Sequence, residues 1–304
     1  MRIYTHPACL AHDTGPGHAE RPERLTAVTE ALREAFADAL DWQEAPCASR
    51  DQLLRAHAPS LLQTVLETTT TQRLMLDPDT VLSPDSAEAA LRAAGAAIAA
   101  VDSVVAGEIS RAFCAVRPPG HHATADTAMG FCLFNSVAVA ALDALDAHGL
   151  ARVAIIDFDV HHGNGTQAIF ERDPRVLYLS SHQMPLYPDT GFADERGVGN
   201  ILNAPLPPGA GSEAFRAAWE TQLLPALNAF NPQLLLLSAG FDAHRRDPLA
   251  QLQLEADDYA WLTGQLVAIA DRHAQGRIVS LLEGGYDLQA LRECSVAHVG
   301  ALMA

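Results

Sequence analysis

The chain of 304 residues contains no lysine; all 20 of its basic residues are arginine. That absence removes two classes of chemistry, because Schiff-base catalysis and Walker-type phosphate binding both require a lysine amine. Cysteine is scarce too. Cys9, Cys47, Cys114, Cys132 and Cys294 are odd in number, widely spaced and form no Cys-x-x-Cys pair. Reduced thiols in a cytosolic protein fit that usage better than a disulfide framework. Positive charge is short: 37 acidic residues against 20 basic ones give a formal charge of −17. Duplex nucleic acid and anionic membranes are poor partners for such a chain, and cationic substrates are attracted, although solubility alone explains the excess equally well. Long apolar runs are also missing. The Ala-rich stretch from Ala93 to Val105 is interrupted by Asp102, and the N-terminus lacks the apolar segment of a signal peptide. A cytoplasmic location without membrane contact is the expectation.

What is present is a rhythm. Apolar runs at Arg2–Tyr4, Ala112–Val116, Val153–Ile156, Val176–Leu179, Leu234–Leu237 and Ile278–Leu282 read as strands. Helical spacing predicts helices over Pro22–Leu40, between Asp51 and Leu66 with a break at Pro59, and over Asn135–His148, Ser212–Phe230 and Ala256–His273. Ser83-Pro84-Asp85-Ser86 is the expected cap of a further Ala-rich helix ending near Gly107, and Thr68–Pro84 reads as loop. Alternation of this kind implies an α/β fold with a central parallel sheet flanked by helices. With no repeat and no break in composition, residues 1–304 read as one domain.

Polar residues gather just after the strands, where open parallel sheets bind their ligands. They are Arg117-Pro-Pro-Gly-His121-His122, then Asp157, Asp159, His161 and His162, then Ser180, Ser181 and His182. Ser238-Ala-Gly-Phe-Asp242-Ala-His244 and Glu283-Gly-Gly-Tyr286 complete the set. Extended residues two apart point the same way, so Asp157, Asp159 and His161 should project from one side of the chain. Two carboxylates and an imidazole at a buried strand end call for a divalent metal between them. Asp242 is the natural third ligand beside Asp159 and His161, leaving an open position for water. Zinc is the first choice, and iron(II) or cobalt(II) suits the same donors. His121 and His122 follow a stiff Pro-Pro-Gly turn and can supply a general base and an acid or electrostatic stabiliser, with Asp157 and Asn164 as orienting partners. Tyr286, after two glycines, can donate to a developing oxyanion.

Together these four motifs resemble the zinc-dependent histone deacetylase and acetylpolyamine amidohydrolase family, in matching order over nearly the whole chain. The resemblance implies the arginase–deacetylase fold, with zinc on Asp159, His161 and Asp242. It implies His122 as general base, His121 with Asp157 as its partner, and Tyr286 polarising the acyl carbonyl. Asn164 resembles the class II branch, which includes bacterial histone deacetylase-like amidohydrolases. A narrow substrate channel would be walled by Gly130, Phe131, Tyr187 and Leu249. A structural potassium ion would lie on Asp157, Asp159, His161, Ser180 and Ser181. The implied reaction is removal of acetyl or longer acyl groups from acyl-lysine or a similar acylated amine, by attack of a metal-bound water. Leu249 stands where polyamine-specialised members carry a glutamate, which leans away from acetylpolyamines. Asp79 is the candidate for the carboxylate that clamps the substrate backbone, and the loop holding His18-Ala-Glu20 is expected at the channel rim. An arginase-like ureohydrolase is disfavoured because Gly163 and His244 replace the aspartates of a second metal site. A non-catalytic binder of acylated ligands is disfavoured by His121, His122 and Tyr286. A homo-oligomer remains open.

Overall fold

A computed structural model describes residues 1–304. Its strands are β1 (Arg2–Thr5), β2 (Asp41–Glu44), β3 (Leu74–Met75), β4 (Val81–Leu82) and β5 (Arg111–Cys114), followed by β6 (Val153–Asp157), β7 (Val176–Gln183), β8 (Ile201–Leu206), β9 (Leu234–Ala239) and β10 (Ile278–Leu282). Eight of them form one sheet in the order β2-β1-β5-β10-β9-β6-β7-β8. Every neighbouring pair in it is parallel.

The apolar runs explain the centre of this sheet. Every residue of β6, β7, β9 and β10 is buried, as strands covered on both faces must be. The helix Ser86–Val105 packs on the helix Ser136–Asp146, while Leu288–Met303 packs between Pro22–Phe36 and Ala256–His273. Small alanines line the buried stripe of Ser86–Val105, letting it lie close to the strands. One continuous hydrophobic core joins these layers.

Several elements differ from expectation. The sheet's outermost strands, β2 and β8, carry no clean apolar pattern; β2 is mostly exposed and β8 contains Pro205, which an edge strand tolerates. Thr68–Pro84 is not all loop, since β3 and β4 pair there as an antiparallel hairpin. The start of Ser86–Val105 has no side-chain cap from Asp85; instead the Ser86 hydroxyl accepts the Ser83 amide at 2.7 Å. Residues Ser212–Phe230 form a helix interrupted by a π turn over Trp219–Leu223. All five cysteines are free, and no helix is long and apolar enough to cross a membrane.

Candidate active site

The carboxyl ends of β5, β10, β9 and β6, neighbours in the sheet, deliver the polar residues to one place. Strand β6 stops at Asp157, whose Oδ1 accepts the Asp159 amide at 3.2 Å; Asp159 Oδ1 then accepts the His161 amide at 2.9 Å. These local bonds end the extended alternation. Asp157 lies outside the cluster of ligand atoms and faces His121 Nδ1, while His121 Nε2 lies 3.8 Å from Asp159 Oδ1. Asp242, just beyond β9, completes the donor set. His161 Nδ1 lies 3.1 Å from Asp159 Oδ1 and 3.1 Å from Asp242 Oδ2. The three residues are buried and their ligand atoms lie within 4.8 Å of one another.

No arginine pairs with either carboxylate, and their only ionic neighbours are histidines. The Asp242 carboxyl is pushed up to about 6, by burial first and then by Asp159. Two crowded carboxylates and one imidazole, with nothing cationic built in, are chemically fitted to a divalent metal with open coordination positions. Gly284 makes the crowding possible. A Cβ there would sit 2.1 Å from Asp242 Oδ2, and the Gly284 amide donates to Asp159 Oδ2 at 2.8 Å.

Two histidines flank this donor set. His121 Nδ1–H donates to Asp157 Oδ2 at 3.0 Å, and Tyr178 donates its hydroxyl to the same oxygen at 3.0 Å. His122 Nδ1–H donates to Asn164 Oδ1 at 2.8 Å. Burial opposes charge on His121, but Asp157 and Asp159 outweigh it and hold its pKa well above the ordinary value. Burial, then the neighbouring His121 and His161, holds His122 well below it. Side by side stand one histidine that keeps a proton and one that is free to take one.

A cavity of about 250 Å³ opens onto His122 and His161 and is walled by Gly130, Phe131, Leu186, Tyr187, Leu249 and Tyr286, with Asp79 on its lining. All four expected channel residues are among them. Gly130 and Phe131 have φ of +57° and +69°, and Met129 and Cys132 exchange backbone bonds of 3.1 and 3.0 Å across them. This is a type I′ turn, and its second left-handed residue is a phenylalanine, which costs about 1–2 kcal/mol. The Phe131 ring meets Tyr286 edge-on at 5.8 Å, while Tyr187 meets His122 at 5.2 Å. Another cavity of similar size, about 280 Å³, lies among Leu10, Leu25 and Trp42 beside β2 and holds no cluster of ligating side chains.

The structure relocates one expected rim residue. Glu20 is fully buried and bridges Arg24, at 2.8 Å, to Arg117. Burial would raise its pKa, but Arg117 and Arg24 prevail and hold it at about 2. His18 does reach the rim, edge-on to Phe131 at 4.8 Å. Ser180 pairs in register with Asp157; its hydroxyl bonds His182 Nδ1 at 2.8 Å, while the Ser181 hydroxyl accepts from Trp219 at 3.1 Å. His244 Nε2 faces Glu255 at 3.4 Å, so it joins no second metal site with Gly163.

Sequence reasoning assigned no role to four groups that hold the site in place. Glu283 accepts the amides of Gly120, at 2.6 Å, and His121, at 3.2 Å. Asp247 accepts those of Tyr286, at 2.7 Å, and Leu249, at 2.9 Å. Arg24 stacks 4.9 Å from the Tyr286 ring and donates to the carbonyl of Gly285 at 2.6 Å. Tyr178 supports Asp157, as described. Charged residues inside otherwise apolar or glycine-rich segments were the available signal, since such groups are buried only when paired.

A parallel sheet with this strand order, a buried two-carboxylate and one-imidazole donor set and paired histidines define a deacetylase-type hydrolase scaffold. Residues 18–302 match the histone deacetylase domain, and the chain belongs to that family. It is 40% identical to the histone deacetylase-like amidohydrolase of Pseudomonas aeruginosa, over 97% of this chain and 83% of that protein. It is also 40% identical to a probable deacetylase of Archaeoglobus fulgidus, over 94% of this chain and 81% of its relative. The crystal structure of the HDA15 HD domain superposes with a TM-score of 0.94 at 34% identity, covering 100% of this chain and 91% of the other. The fold is the arginase–deacetylase fold.

Proposed function

We propose that residues 1–304 act as one catalytic unit, a metal-dependent amidohydrolase that removes acetyl or related acyl groups from acyl-lysine or a similar acylated amine. The observation that carries this is the unlike pair His121–Asp157 and His122–Asn164, set beside the Asp159, His161 and Asp242 donors at the inner end of an apolar channel. Asp159, His161 and Asp242 would hold the ion, with zinc the first choice and iron(II) or cobalt(II) accepted by the same donors. When bound, it supplies Lewis acidity to an acyl oxygen and to water.

The chain's own groups do the rest. Phe131, Tyr187 and Leu249 strip water from the acyl chain and hold it in line. His122, held neutral by burial and by the neighbouring His121 and His161, takes a proton from water as that water adds to the carbonyl carbon. The Tyr286 hydroxyl donates to the carbonyl oxygen as negative charge gathers on it. His121, kept charged by Asp157, stabilises the same charge. The C–N bond then breaks and a histidine proton passes to the departing nitrogen, giving free amine and carboxylate. Asp79, on the lining of the cavity, would accept from the substrate backbone. A potassium ion on Asp157, Asp159, His161, Ser180 and Ser181 belongs to the same proposal, supported by the register of Asp157 against Ser180.

Leu249 offers no carboxylate to a second amine, and the one carboxylate on the lining, Asp79, is assigned to the substrate backbone; this favours acyl-lysine over acetylpolyamine. The test is amine release from an acetyl-lysine peptide and from an acetylated polyamine, before and after zinc is added to metal-free protein. Metal-dependent turnover of the peptide is expected; no turnover of either, nor of longer acyl groups, with metal bound, would defeat the proposal.

A further inference from the structure

We propose that Thr80 is a positioning residue that sets the width of the acyl channel by fixing the backbone of Phe131. The inference rests on reading the 250 Å³ cavity as that channel. Thr80 touches neither the metal donors nor the cavity. It is fully buried at the start of the return limb of the β3–β4 hairpin. Its amide donates to Asp77 Oδ1 at 2.7 Å and its carbonyl accepts the Leu76 amide at 2.8 Å, so the residue is rigidly held.

Its hydroxyl has one proton and two lone pairs. It accepts the Phe131 amide at 3.0 Å and donates to Asp79 Oδ1 at 3.2 Å. The Phe131 amide has no backbone acceptor, so Thr80 supplies its partner. That residue is the non-glycine left-handed member of the type I′ turn, the place where the backbone most needs holding. The ring of Phe131 is tied to the same segment by another route. His18 packs edge-on to it at 4.8 Å, and His18 Nε2–H donates to the Asp79 carbonyl at 3.1 Å. Backbone and ring of one channel wall thus both answer to Asp79–Thr80. Without the hydroxyl, a partly buried amide loses its acceptor, the strained turn relaxes and the wall moves.

The experiment compares Thr80→Val, which keeps shape and loses the hydroxyl, with Thr80→Ser, which keeps the hydroxyl. Amide exchange at Phe131, read by NMR on the zinc-loaded protein, should speed up about tenfold or more in Thr80→Val and stay near wild type in Thr80→Ser. With an acetyl-lysine peptide, Thr80→Val should raise KM about tenfold while kcat stays within about threefold, and Thr80→Ser should restore KM. Thr80→Ala replaces the valine variant if valine lowers the thermal midpoint enough to unfold the protein. Unchanged exchange at Phe131, a loss confined to kcat, or failure of serine to rescue would each overturn the proposal. If the wild-type protein turns over no acylated amine, the proposed function falls, while the exchange comparison still decides whether Thr80 holds Phe131.

Discussion

His121 and His122 are consecutive in the chain, both are buried, and their rings stand 4.0 Å apart. They nevertheless hold protons in opposite ways. One rests on the carboxylate of Asp157 and is held charged; the other rests on the amide of Asn164 and is held neutral. Burial is common to both and favours neutrality in both, so it cannot be what separates them. Nearby charge does: Asp157 and Asp159 raise His121, whereas His121 and His161 lower His122 and Asn164 brings no charge to oppose them. In the proposed reaction this difference divides base from electrostatic stabiliser.

The largest expected effect removes what the two histidines share. Asp242→Ala should lose the metal and cut turnover by about four orders of magnitude or more, since Lewis acidity and water activation go together; full metal occupancy by elemental analysis would contradict the ligand assignment. Next, Tyr286→Phe should lower kcat by about 10²–10³-fold with metal content intact, the usual cost of one oxyanion donor. Near-normal kcat would take Tyr286 out of the reaction.

Two further variants erase the comparison from either side. Asp157→Asn gives both histidines an amide partner. The pKa of His121 then falls, so its proton is lost at lower pH; kcat should drop about ten- to a hundredfold and the alkaline limb of the rate profile should move down. Asn164→Asp gives both a carboxylate. The charged form of His122 is then favoured, its pKa rises, and a base that must be neutral is lost earlier on acidification. The acid limb of kcat/KM should move up by about one pH unit or more, with a smaller change near pH 8. An unmoved acid limb would mean that His122 is not the base.

Much of this could be read from the sequence because the chemistry is attached to strands that announce themselves. Asp159 and His161 lie within a few residues of a continuous apolar run, and Asp242 and Tyr286 follow two others. The edge strands β2 and β8 were hidden because an edge is only partly covered, so nothing forces an apolar pattern on it. The end of the extended run at Asp157 was hidden for a different reason. A side chain that bonds a nearby backbone amide overrides the strand's period of two. Bonds such as Asp247 to the Tyr286 amide, Thr80 to the Phe131 amide and Tyr178 to Asp157 join segments far apart in the chain. They depend on how loops meet, and no local pattern records that. Glu20 was misplaced for a related reason: its two arginines arrive from separate segments, and only their arrival makes its burial tolerable.

The position of β10 carries a consequence for how the molecule holds together. It is the last of the sheet's strands in sequence order, yet it lies mid-sheet and alone joins β5 to β9. Without Ile278–Leu282 the sheet would divide into two halves, one carrying the paired histidines and the other the carboxylates. The same late segment brings Gly284 against Asp159 and Asp242, and Tyr286 over the channel. One segment therefore both closes the sheet and completes the site.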